Sequence, residues 1–264
     1  MRPLPLSLWP ALRRHGLALI LLGLLAAGGP PPSVGSTAPI PRPVPQEAIV
    51  AAGVLPGLGN VYHMVEHPRA GVLLLSGVDG GVDGPHDGFY SRLAADLIPQ
   101  GLAVLRVNYR APGDLTLSVE DALAALDEMR AAGVEPIAVV GFSFGGAVAI
   151  ETAVERPEVV SVALLSSQSL GTDRVPLIAP RPLLVIVAAR DQTVPAWASD
   201  DIYERAGEPK RLIVLDSDDH YLHDTAEAVR QLLLHWFAET LLTADGGSET
   251  PPLSTPGQPL HLTL

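Results

Sequence analysis

The sequence predicts an α/β domain over residues 47–242, with a mostly parallel, eight-stranded sheet and helices on both faces. Apolar runs of strand length alternate with segments of helical period throughout that region, and such alternation requires crossover connections. Several runs, such as Val72 to Leu75 and Leu183 to Val187, are apolar without any polar alternation. That pattern suits parallel strands covered on both sides.

Two weaker strands are expected at 48–54 and 60–65, and six stronger ones at 70–76, 102–109, 136–142, 159–166, 183–189 and 211–215. Between them, Phe89, Leu93, Leu97 and Ile98 mark a first helix. A second is expected over 118–132, opened by Ser118 and Asp121 as a capping box, with Ala122, Leu123, Leu126 and Met129 on one face and Gly133 as its stop. Three more follow at 144–155, stopped by Pro157, at 196–206 and at 224–242. Ligands of such sheets bind beyond the carboxyl ends of the strands, so candidate chemistry is sought where strands hand over to helices.

The flanks differ in kind. Arg2, Arg13 and Arg14 precede an apolar run from Leu17 to Ala27, followed by small residues and prolines. Residues 1–29 thus read as a signal peptide, with small residues at Ala26 and Gly28, or Ser36 and Ala38, as cleavage marks. The run is short of the roughly 20 residues that span a bilayer. Export to the periplasm or the medium is expected, without stable membrane insertion of the mature chain; an uncleaved tether is the alternative. Seven prolines between Pro30 and Pro45 make 30–46 an extended linker, and 243–264, rich in Thr, Gly, Ser and Pro, is expected to be a disordered tail.

Charge narrows the function classes. The formal net charge is −12, and the 17 basic residues include the three arginines of the leader. So acidic a surface repels phosphate backbones, which argues against nucleic-acid partners. The absence of cysteine excludes disulfides, thiolate metal sites and a cysteine nucleophile. Oligomeric state is left open.

The sharpest signal is Gly141-Phe142-Ser143-Phe144-Gly145, which satisfies G-x-S-x-G. It lies between the apolar strand Ile137 to Val140 and a run of small residues suited to close helix packing, the context that this motif requires. Ser143 is the candidate nucleophile. With this elbow, the chain resembles the α/β-hydrolase family, and especially its small dienelactone-hydrolase and esterase-like members, over residues 48–242. The segment Ala189-Arg190-Asp191-Gln192-Thr193-Val194-Pro195 carries the resemblance further.

The resemblance implies the chain order Ser, then acid, then His. Asp191 follows the strand at 183–189 and matches the family's acid loop. His220 falls in the loop after the strand at 211–215, where the family's base sits. His223, expected to begin the last helix, is the competing base. Asp218 and Asp219 are expected to support the imidazolium by proximity, or else to be solvated loop acids. For the oxyanion, the backbone N–H groups of Phe144 and Val78 are the expected donors. Ser76 stands where the family usually has His.

The loop after the third strand also holds Asp79, Asp83, His86 and Asp87, but their spacing fits neither an EF-hand nor a zinc motif. No metal and no cofactor is expected, and the loop reads as a glycine-rich entrance. Between the sixth and seventh strands only Gln168 to Pro180 is available, too little for a helical cap. The expectation is a lidless serine hydrolase of small or soluble carboxylic esters, acting through Ser143, Asp191 and His220. A peptidase or thioesterase with the same triad, or a non-catalytic binding domain on this fold, are the alternatives.

Overall fold

The computed structural model describes residues 49–54, 59–242 and 260–262. The leader 1–29 and the linker 30–46 lie outside the described residues. The strands are β1 (Ile49–Val54), β2 (Val61–Val65), β3 (Ala70–Leu75), β4 (Leu102–Val107), β5 (Ile137–Phe142), β6 (Val159–Leu165), β7 (Leu183–Ala188), β8 (Lys210–Leu215) and β9 (Leu260–Leu262). The helices are α1 (Phe89–Leu97), α2 (Leu115–Ala131), α3 (Phe144–Glu155), α4 (Trp197–Arg205) and α5 (Ala226–Leu241).

The strands form one sheet in the order β1-β2-β4-β3-β5-β6-β7-β8-β9. β2 pairs antiparallel with both β1 and β4, and every other pairing is parallel. The order reverses around β3, so the ends of β3 and β5 meet at a crevice.

The unbroken apolar runs are explained by two separate cores. Leu73, Leu75, Val139, Leu164 and Val185 face one core with residues of α2, α3 and α4. Val72, Leu74, Val140, Leu165 and Ile186 face the other, with Phe89, Tyr90 and Leu93 of α1 and Val229, Trp236 and Phe237 of α5. Alternate side chains of one strand thus enter different cores, and each position must be apolar.

Three expectations need correction. The second helix begins at Leu115 rather than near Ser118, because Asp114 caps it by accepting from the Leu117 N–H at 3.0 Å. Ser118 and Asp121 are instead buried inside the helix, and Asp121 binds the Arg110 side chain at 2.6 Å and its backbone N–H at 2.8 Å. The last helix begins at Ala226, which leaves His223 in the preceding loop. Finally, Leu260–Leu262, inside the expected tail, is a strand. It pairs parallel with β8, Leu260 and Leu262 pack on the α5-side core, and the pairing covers an otherwise open sheet edge. Among the described residues no helix is long and apolar enough to cross a membrane. Between β6 and β7 there is only a single 3-10 turn, Val175–Ile178, and no cap.

Candidate active site at the β5–α3 turn

Ser143 stands between the end of β5 and the start of α3 with φ 52° and ψ −116°, a conformation that L-residues avoid. Such strain costs on the order of 1–3 kcal/mol and persists only where the surroundings fix it. Here the Ser143 carbonyl accepts from the N–H of Gly146 at 3.0 Å and of Gln168 at 3.4 Å, while its own N–H donates to Leu165 O at 2.9 Å.

The turn also needs close backbone approach on both sides. A Cβ at Gly141 would run into the backbone of Gly145, and one at Gly145 would overlap the carbonyls of Ser76 and, at 2.7 Å, Leu75. These are backbone atoms and cannot rotate away. Gly145→Ala is therefore expected to destabilise the fold. Overpacking costs about 1–3 kcal/mol, and the gain in helix propensity of about 1 kcal/mol offsets only part of it. A urea midpoint unchanged or raised in this variant would contradict the close approach.

Around Ser143 the structure brings two distant residues together. His220 Nε2 lies 3.1 Å from Ser143 Oγ, and His220 Nδ1–H donates to Asp191 Oδ2 at 2.6 Å. The other oxygen of Asp191 accepts from the N–H groups of Thr193 at 2.8 Å and Val194 at 2.9 Å, which fixes the carboxylate as it leaves β7. Ser143, Asp191 and His220 are all buried, so the hydrogen bonds operate with little competition from water. With Nδ1 donating, Nε2 is left to accept from the serine hydroxyl.

His220 is held by the loop that bears it. Its ring packs against Phe142 at 5.1 Å and edge-on against Tyr221 at 5.2 Å. The Ser217 hydroxyl donates to Asp224 at 2.8 Å and accepts from the Asp219 N–H at 3.0 Å, closing the loop on itself. Leu222, buried and at φ 60°, then turns the chain sharply between His220 and His223. His223 is engaged elsewhere in the loop. Its Nδ1–H donates to Asp219 at 2.7 Å, and its ring stacks on His86 at 4.6 Å.

Of the two roles expected of Asp218 and Asp219, that of loop acids fits and support of the imidazolium does not. Asp219 spends its carboxylate on the N–H groups of Tyr221 and His223 and on the His223 ring, while Asp218 is exposed. Burial pushes the Asp219 carboxyl up, but those hydrogen bonds outweigh it and leave the group below the usual carboxylate range. Asp191 is the carboxylate that meets His220.

The loop after β3 closes the site from the other side. Gly77, Val78, Asp79, Gly80, Gly84, Pro85, Phe142, Ser143, Thr193, His220 and Tyr221 surround a cavity of about 110 Å³. Among the described residues, neither the Val78 nor the Phe144 N–H donates to a protein acceptor. Phe144 also opens α3, whose N-terminal partial charge favours an anion there.

Four residues that the sequence did not single out, Tyr90, Tyr109, Asn108 and Arg106, brace this loop. Tyr90 and Tyr109 donate to the carbonyls of Leu75 and Ser76 at 3.0 and 3.2 Å. Asn108 Oδ1 accepts from the Gly81 N–H at 3.1 Å. Arg106, buried beneath the loop, donates to Val82 O at 3.3 Å and lies 3.5 Å from Asp83. His86 donates to Tyr221 O at 2.9 Å, tying this loop to the one that carries His220.

A buried serine–histidine–aspartate array at a strand-to-helix elbow, on a sheet of this order and without a cap, defines the class as a lidless α/β-hydrolase. Comparison with known proteins agrees. The model of the alpha/beta hydrolase family matches residues 72–257, and the chain belongs to that family. It is 29% identical over 225 residues to an uncharacterized protein of Mycobacterium tuberculosis, seen in strains CDC 1551 / Oshkosh and ATCC 25618 / H37Rv, covering 74% of this chain and 77% of the relative.

Among solved structures, a dienelactone hydrolase from Anabaena variabilis shares the fold with TM-score 0.62 at 23% identity, over 75% of this chain and 99% of that one. The esterase domain of a Rhodothermus marinus protein does so with TM-score 0.56 at 24% identity, over 67% and 89%.

Proposed function

We propose that this chain is an exported serine hydrolase that cleaves carboxylic esters of small or soluble acyl groups. The observation that carries the reading is the continuous array Ser143 Oγ–His220 Nε2 at 3.1 Å and His220 Nδ1–Asp191 Oδ2 at 2.6 Å. Serine is a weak nucleophile until a base takes its proton, and that base works best in one tautomer held by an acid.

In the proposed cycle, Ser143 Oγ attacks the ester carbonyl as its proton passes to His220 Nε2. The tetrahedral oxyanion is received by the N–H groups of Phe144 and Val78. The carbon–oxygen bond to the alcohol then breaks, and His220 delivers its proton to the departing oxygen. Water attacks the acyl-enzyme with His220 as base, and the acid leaves with Ser143 restored. Asp191 keeps the Nδ1 proton in place and offsets the charge of the imidazolium.

Small acyl groups are favoured by the size of the cavity. About 110 Å³ at Ser143 is below the usual 300–1,000 Å³ of drug-sized ligand pockets. Export rests on the arginine-flanked apolar run from Leu17 to Ala27.

A fluorophosphonate probe tests the reading directly, with labelling expected at Ser143. Turnover of short p-nitrophenyl esters is expected to exceed that of aminoacyl amides and acyl thioesters. Folded protein that takes up no probe would overturn the catalytic reading, and faster amide or thioester cleavage would reassign the substrate.

A further inference from the structure

Beside the cavity at Ser143 lies a second, larger and more open hollow of about 440 Å³, lined by Pro85, His86, Asp87, Tyr221 and His223. It shares Pro85 and Tyr221 with the cavity that holds Ser143 and His220, so the two adjoin. Three of its five lining residues, His86, Tyr221 and His223, are planar rings, and they join a row that runs from Phe89 beneath to His220 in the neighbouring cavity. Phe89 meets His86 at 5.2 Å, His86 meets His223 at 4.6 Å, His223 meets Tyr221 at 6.0 Å, and Tyr221 meets His220 at 5.2 Å.

Hydrogen bonds tether both imidazole rings before any ligand arrives. His86 donates to Tyr221 O and accepts from Arg92 Nη2 at 3.1 Å, and His223 is held by Asp219. Binding there sacrifices little side-chain freedom. Burial holds the His86 ring below its ordinary pKa, and His223 and Arg92 reinforce this against the Tyr221 carbonyl and Asp219. Asp87 contributes a carboxylate to the lining that disfavours anionic ligands.

Chemistry says which part of an ester lies here. The acyl group stays on Ser143, whereas the departing oxygen must collect a proton from His220 Nε2. The alcohol therefore leaves on the His220 side, where the hollow opens past Tyr221. Resting on the ester-hydrolase reading above, we infer that this hollow is the leaving-group subsite and selects esters of flat aromatic alcohols that carry no negative charge. Planar rings reward an offset or edge-on aromatic partner beyond simple burial.

Benzyl acetate and cyclohexylmethyl acetate test this, because the two alcohols match in reach and differ in flatness. The cyclohexyl ester is the more apolar, so burial alone predicts the opposite preference. With the full chain, kcat/KM is expected to favour the benzyl ester about five-fold, and the ratio is expected to approach one in His223→Ala. Because the ratio is taken within one variant, any general loss of activity cancels.

In a second measurement, benzyl alcohol is titrated into Ser143→Ala and the ring protons of His86 and His223 are followed by NMR. They are expected to shift more than with cyclohexylmethanol. Ester turnover with a ratio near one and no ring shift overturns the subsite and leaves the hydrolase reading standing. A preference that survives in His223→Ala also overturns the subsite. Ring shifts without turnover of any ester overturn the hydrolase reading and keep the groove as an aromatic-binding site, and absence of both removes both.

Discussion

Replacing Ser143 by alanine is expected to lower kcat on a short ester by on the order of a million-fold. The size follows from the way the three residues depend on one another. His220 Nε2 sits 3.1 Å from Ser143 Oγ, and without that hydroxyl it has no nucleophile to deprotonate. The residual rate comes from donors and binding alone, roughly a thousand- to ten-thousand-fold over water. Stability should change little, because alanine at φ 52° carries much the same backbone strain as serine and the carbonyl anchors of the turn are untouched. The measurement is kcat beside the urea midpoint on the same preparation. A folded variant that keeps a tenth of the activity or more would remove Ser143 from the reaction.

Ser143 was legible because its constraints are local. A buried strand, two glycines that permit backbone approach and a helix of small residues all occur within about ten positions of the chain. Asp191 and His220 were found by their order along the chain and by the strand ends they follow. The choice between His220 and His223 was not readable from spacing. It depends on Leu222, whose left-handed conformation sends residues three apart in different directions, and an ordinary leucine gives no warning of that.

The supports of the loop after β3 were hidden for a different reason. Tyr109 reaches Ser76 across 33 positions, Asn108 reaches Gly81 across 27 and Arg106 reaches Val82 across 24. Those pairings exist only once β3 and β4 lie side by side. The same holds for β9. Three residues in a Pro- and Thr-rich stretch carry no strand signal of their own, and their order comes from the exposed edge of β8. In the second helix, Ser118 looked like a cap, and Asp114 won because its side chain reaches the Leu117 N–H. Local chemistry was thus readable, whereas contacts assembled by the sheet were not.

Asp191→Asn carries the second largest expected effect, a fall in kcat of about ten-thousand-fold. The substitution is nearly isosteric, so the cause is the position of one proton. The Thr193 and Val194 N–H groups demand an acceptor, at 2.8 and 2.9 Å, and would hold the amide oxygen where Oδ1 now sits. The amide NH2 must then face His220 Nδ1, which becomes an acceptor. The imidazole proton moves to Nε2, and the ring directs a hydrogen at Ser143 Oγ where a lone pair is needed. Geometry is preserved and the base is lost. Asp191→Ala would be less informative, because it also strands the two N–H groups and opens a void. Proton NMR supplies the independent readout: a strongly downfield Nδ1–H resonance is expected in the wild type and should vanish in Asp191→Asn. If that resonance disappears while kcat stays within ten-fold, the carboxylate does not act through the tautomer of His220.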